Sequence, residues 1–290
     1  MRLSFFLLFM ALAITVGQGV THGSEVRVKL LSFNIRYGTA NDGKDAWPLR
    51  HELVYDVIRT QQPDFCGLQE ALRFQIDAIR KNLPEYEEIG VGRDDGKAKG
   101  EYSAILYRND RWQLDTGETL WYSDTPTEPA SADWGNRIPR IVTWARFTEK
   151  DSGAEIYVFN THFDHISQTS RLKSAEFLSN LIAEKAGTAP VVVMGDFNAG
   201  EDNPAIVRLK NEDTTSGPKL LDSFRVVHPE AEEVGTFNGF RGRTNGAKID
   251  FVFVDPSTTV EAAEIVRTNE DGRYPSDHFP VSAEVVLPSK

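Results

Sequence analysis

A single cysteine, Cys66, stands in the 290-residue chain, so no disulfide can form within it and the core alone must hold the fold. Cys66 lies in the apolar stretch PDFCGLQ, where a thiol packs as a small hydrophobe and is a poor nucleophile. Basic residues are scarce as well: 32 Lys and Arg against 43 Asp and Glu leave a net charge of −11. That balance argues against a protein that coats nucleic acid by bulk electrostatics. It leaves phosphate chemistry open, because gathered carboxylates can hold a divalent cation that attracts phosphate. No fixed-period repeat, low-complexity block or Pro/Gly/Ser-rich linker divides the chain, which reads as one α/β domain over residues 24–290. The apolar run Leu3–Val16 behind Arg2 is too short to cross a bilayer and has no stop-transfer flank. Residues 1–23 are therefore read as a secretory signal, cleaved between Gly19 and Ser24. The expectation is an exported protein, periplasmic or extracellular, with no stable membrane insertion after cleavage.

Apolar runs bounded by polar turns recur at residues 26–34, 64–70, 102–107, 140–147, 156–163, 191–197, 249–254 and 280–286, and predict strands. Leu49, Leu53, Val54, Val57 and Ile58 form one helical stripe. Leu172, Ala175, Leu178, Leu181 and Ile182 form another, which Gly187 would stop. The polar stretch Ser123–Pro139 predicts a long surface excursion.

Several apolar runs end in chemistry. In VVVMGDFNAG, period-two geometry puts Asp196 and Asn198 on one face of a strand end, with Gly195 leaving room for a close approach. Asn34, Glu70, His162, Asp250, Asp277 and His278 end or interrupt other runs. Each has an ordinary reading: a turn residue, a helix-start carboxylate, a hydrogen-bonded core histidine. Their recurrence is the signal, since ionisable groups at buried strand ends are costly unless paired or metal-bound.

The set FNIR, LQE, NTHFDH, GDFN, KIDFVF and SDH, in this order over nearly the whole chain after the signal, resembles the endonuclease/exonuclease/phosphatase superfamily. This superfamily includes pancreatic-type deoxyribonucleases, abasic-site endonucleases, deadenylases, sphingomyelinases and inositol-polyphosphate phosphatases. The resemblance implies a four-layer α/β/β/α sandwich of two packed, mostly antiparallel sheets. It implies Mg²⁺, or Mn²⁺, at Glu70, with Asn34 and Asp277 as direct or water-mediated supports. It further implies that Asp196 and Asn198 align the attacking water and the phosphate, that Asp250 orients His278, and that Glu101 supports His162. Arg93 and Arg140 match phosphate-contacting arginines. The chain departs from subgroups in lacking the disulfides of secreted nucleases, the Asn-x-Asp of abasic-site enzymes and the Arg-rich signature that follows Asp-x-Asn in inositol-polyphosphate phosphatases.

The leading reading is an exported Mg²⁺-dependent phosphodiesterase of the nuclease type, with nucleic acid as partner. In this reading Arg241, Arg243 and Lys248 of GFRGRTNGAK meet a phosphate backbone beside Phe240. The alternative is a phosphatase or phosphodiesterase for a small molecule, sugar phosphate or lipid head group, its pocket walled by Trp121, Trp134 and the 123–139 stretch. A noncatalytic binding module is the third. An open groove suits a polymer; a capped cavity suits a small substrate.

Overall fold

A computed structural model describes residues 25–210 and 219–288 of the chain; the expected signal at residues 1–23 lies outside the described residues. The strands are β1 (Arg27–Asn34), β2 (Phe65–Ala71), β3 (Tyr86–Ile89), β4 (Tyr102–Arg108), β5 (Trp112–Trp121), β6 (Ile141–Glu149), β7 (Glu155–His162), β8 (Val191–Asp196), β9 (Leu221–Asp222), β10 (Asp250–Val254), β11 (Thr259–Ile265) and β12 (Val281–Val286). The helices are α1 (Trp47–Gln61), α2 (Arg73–Asn82), α3 (Gln168–Ala186), α4 (Pro204–Lys210) and α5 (Ser223–Val227).

Every apolar run expected as a strand is one. The four strands the runs do not reveal, β3, β5, β9 and β11, are the edges of the two sheets, whose orders are β11-β12-β1-β2-β4-β3 and β5-β6-β7-β8-β10-β9. Edge strands tolerate polar residues that an interior strand would bury, so stretches such as TVEAAEI carry no apolar run.

Each sheet holds one parallel pair, β1 with β2 and β7 with β8, and all other pairings are antiparallel. A parallel pair needs a crossover, and α1 and α3 supply it. Alternation along the strands then makes the layers. Val28 and Leu30 of β1 and Val192 and Met194 of β8 meet in the core between the sheets. Leu31 and Phe33 face α1, while Val191 and Val193 face α3. The result is the expected four-layer α/β/β/α sandwich.

Two stripes differ in detail from expectation. Leu49 is 57% exposed and Leu172 39%, while Arg50, one residue after Leu49, turns inward and is only 2% exposed. The 123–139 stretch is anchored: Trp134 is buried, packs against Tyr122 and Phe177, and donates its Nε1–H to Asp124 Oδ1 at 2.7 Å.

Candidate active site

Register brings the polar strand ends together. Asp196 at the end of β8 pairs with His162 of β7 on one side and Asp250 of β10 on the other. From the other sheet, which carries β1 and β2, Asn34 closes β1 and donates its Nδ2–H to Glu70 Oε1 at 3.1 Å and to Asp196 Oδ2 at 3.0 Å. Asp277 and His278 arrive on the segment before β12. Glu70, Asp196, Asn198, Asp277 and both histidines line a cavity of about 580 Å³. Glu70 sits where the β2–β4 register shifts between Leu68 and Ala71, at φ 59°, and Asn198 has φ 47°. Left-handed backbone costs a non-glycine residue roughly 1–3 kcal/mol. Here it turns Glu70 out of β2 and Asn198, two residues past the end of β8, towards the cavity.

On the first sheet, Glu70 Oε2 accepts from Tyr37 N at 2.8 Å and Asp277 Oδ2 lies 3.7 Å from Arg36 Nη1. Burial first, then nearby Glu70, hold the Asp277 carboxyl above the usual carboxylate range against the pull of His278. Burial and the neighbouring Asp250 charge likewise push Asp196 up. Buried carboxylates held up by burial and by a neighbouring carboxylate charge, with oxygen donors directed inward, fit a hard divalent cation. Glu70 and Asp277 are the residues that would hold it. Asn34 Oδ1 accepts from Arg36 N at 3.0 Å with one lone pair, while its amide nitrogen fixes Glu70 and Asp196. Donor atoms of Asp196, Asp250 and His278 also lie within 4.8 Å of one another, but a protonated imidazole cannot ligate, and His278 is held protonated. Burial pulls its pKa down, yet Asp250 and Asp196 outweigh it and raise the ring well above its ordinary 6.5. The pairing of His278 Nδ1 with Asp250 Oδ2 is 2.9 Å long.

His162 has the opposite electrostatics. Burial, Arg140 and Arg93 push it well below its ordinary value, so the ring is neutral. Its Nε2 lies 2.9 Å from Asn198 Nδ2 and 3.4 Å from Asp196 Oδ2, and its buried Nδ1 has no hydrogen-bond partner. The expected His162–Glu101 hydrogen bond is not made. The nearest approach is 3.9 Å, because Glu101 faces Arg93 instead, accepting from Nη1 at 2.9 Å and from Nη2 at 2.7 Å. A planar guanidinium matches a carboxylate in two bonds, which a single ring nitrogen cannot. Arg93, expected to meet phosphate, thus commits both terminal nitrogens to Glu101, while its buried Nε has no hydrogen-bond partner. Arg140 lines the same cavity wall and donates Nη2–H to His165 Nδ1 at 2.8 Å.

Other expectations are corrected. Lys248 does not reach a ligand: it is buried, 2.6 Å from Asp222 and 3.4 Å from the Phe251 ring centre. Phe240 packs against Arg50 rather than serving as a free stacking surface. Trp121 donates to Arg93 O at 2.7 Å and Trp134 belongs to the outer core, so neither walls the cavity; Ile138 does. Sequence reasoning missed His165, Phe237 and Arg36 on the lining. The second histidine of NTHFDH was the available signal for His165.

Comparisons with known proteins agree with this architecture. A Bacteroides vulgatus structure described as an endonuclease/exonuclease/phosphatase is 34% identical, with TM-score 0.83 over 90% of this chain and 99% of that one. A mannosyl-6-phosphatase of Bacteroides thetaiotaomicron is 32% identical, with TM-score 0.80 over 90% of this chain and all (100%) of that one. Nocturnin of Drosophila melanogaster is 25% identical over 90% of this chain and 47% of its own length, so this chain spans about half of that relative. Residues 31–278 match the family profile itself, and the chain belongs to the endonuclease/exonuclease/phosphatase family of phosphoester hydrolases.

Proposed function

We propose that the protein is a divalent-metal-dependent phosphatase for a small phosphorylated molecule such as a sugar phosphate. The observation that carries this reading is the compact cavity of about 580 Å³, which falls in the size range of small-molecule sites. The acidic net charge of −11 and the burial of Lys248 support it, as does likeness to a mannosyl-6-phosphatase.

When bound at Glu70 and Asp277, a cation such as Mg²⁺ or Mn²⁺ supplies charge neutralisation at the phosphoryl oxygens. Asp196 orients a water in line with the leaving oxygen and takes its proton as the new P–O bond forms and the old one breaks. His278, cationic against Asp250, donates to a phosphoryl oxygen and can deliver its proton to the departing alkoxide. Asn198 locks neutral His162 by its amide, and Arg140 places positive charge along the cavity wall.

A second reading, a nuclease, rests on the loop bearing exposed Arg241 and Arg243, whose Gly246 and Ala247 line the cavity. The test is hydrolysis by purified protein with Mg²⁺ of mannose 6-phosphate, p-nitrophenyl phosphate, bis-p-nitrophenyl phosphate, DNA and RNA. Release of phosphate from the monoesters at higher kcat/KM than cleavage of the diesters is expected. Preferential cleavage of polymers overturns the phosphatase reading in favour of the nuclease. Export through residues 1–23 is part of the same proposal, and is checked by cleavage and recovery outside the cytoplasm.

A further inference from the structure

A guanidinium taken out of water needs its donors satisfied. Among the described residues, the hydrogen bonds of buried Arg50 all end on backbone carbonyls. Nε donates to Asp45 at 2.9 Å, Nη1 to Ile35 at 2.9 Å and to Pro275 at 2.7 Å, and Nη2 to Arg36 at 3.4 Å. Two rings cover the group, one from its own helix and one from a further segment, with its Cζ 5.3 Å from the Trp47 ring centre and 5.5 Å from that of Phe240. One planar cation therefore ties the chain leaving β1 to the segment that delivers Asp277 and His278.

The position of that tie matters. The β1–β12 ladder stops at the Ser32–Val281 pair, short of both Asn34 and Asp277. Beyond it, the two segments are joined by Arg50, by Ser276 Oγ, which donates to Asn34 O at 2.7 Å, and by the longer Arg36–Asp277 ion pair at 3.7 Å. Asn34 in turn holds Glu70. We propose that Arg50 is a positioning residue for the divalent cation: from behind the site it replaces the missing ladder bonds and sets the spacing between the Asn34–Glu70 pair and Asp277.

The charge of Arg50 acts in the opposite sense to its geometry. A fixed cation near Asp277 and Glu70 repels a metal ion, whereas the brace that it forms preorganises the ligands for one. Lysine separates the two effects, because it keeps the charge and cannot span Ile35, Arg36, Asp45 and Pro275 with a fork.

Mn²⁺ binding to metal-stripped protein, followed by calorimetry, is the direct test, with unfolding in chelator recorded alongside. R50K is expected to weaken Mn²⁺ binding by about 10-fold or more, R50M by less because it also removes the repelling charge, with KM for p-nitrophenyl phosphate little changed at saturating Mn²⁺. Wild-type Mn²⁺ affinity in R50K, or tighter binding in R50M, overturns the proposal. Should R50K fail to fold, R50Q decides, since an amide keeps only part of the fork and leaves Ser276, which also touches Asp277 Oδ1 and His278 N, in place: weaker Mn²⁺ binding supports the brace and unchanged binding overturns it. The inference rests on the metal-dependent reading of the site. Wild-type protein that binds no Mn²⁺ sinks that reading itself, whereas wild-type binding equalled by R50K sinks only the role of Arg50.

Discussion

Arg93 and Glu101 close a two-bond ion pair, at 2.7 and 2.9 Å, on the wall of the catalytic cavity, and each side chain is nearly buried. Removing one partner strands the other charge in a largely buried site. E101A is expected to lose about 3–5 kcal/mol of unfolding free energy, and R93M/E101M less than E101A alone. Urea unfolding of the single and double variants checks this, and an E101A midpoint equal to wild type would contradict it.

Asp196 is the proposed base. D196N is expected to lower kcat by about 100-fold or more with metal saturating, while E70Q chiefly raises the Mg²⁺ concentration needed for half-maximal rate. Excess chelator should abolish turnover, and readdition of Mg²⁺ or Mn²⁺ should restore it. Full activity in chelator would rule out the metal mechanism.

His278 sets the alkaline side of the pH profile. Its folded-state pKa is raised above 6.5, so the protonated ring persists through neutral pH and is lost only as pH climbs through the raised value. Its contribution to stability has the same sign: fully present below 6.5, lost on rising through the folded pKa. D250N removes a charge that raises this pKa, so the alkaline limb of kcat/KM should move to lower pH. A limb that stays in place in D250N would assign it to another group.

Gly67 lies under the site, where an added Cβ would come within 2.7 Å of Asn160 Oδ1. Asn160 spans the two sheets, accepting from Gln69 Nε2 at 2.7 Å and donating to Leu68 O at 2.9 Å and Ala104 O at 2.7 Å. G67A is expected to cost about 1–3 kcal/mol, read as a lowered thermal midpoint together with lost turnover, because Gln69 adjoins Glu70. An unchanged midpoint would show that the bridge yields freely.

The interior strands were legible because burial on both faces writes uninterrupted apolar runs such as VVVM before Asp196; β11, wet along one edge, writes none. Strand ends bearing Asn34, Glu70, Asp196 and Asp250 stood out for the same reason, as polar residues at or near the ends of apolar runs. Arg50 escaped notice because a stripe of Leu and Val around it offered a simpler helix face, and nothing local shows that its partners are the carbonyls of residues 35 and 275, far off in sequence. The Glu101–Arg93 pairing was hidden likewise: both residues were expected in the site, but which carboxylate takes which cation is decided by fork geometry in three dimensions.

The two sheets share one order of pairings, with a parallel pair at the centre and antiparallel neighbours on either side, and each contributes a different half of the chemistry. Glu70 belongs to one sheet and Asp196 to the other. The proposed mechanism draws on both, so turnover is expected to report on how the sheets dock. A loosened state in which each sheet kept its own ladder would still look folded by circular dichroism, yet be catalytically silent. Loss of activity would then precede loss of secondary structure on heating, making the enzyme its own most sensitive gauge of the seam between its halves.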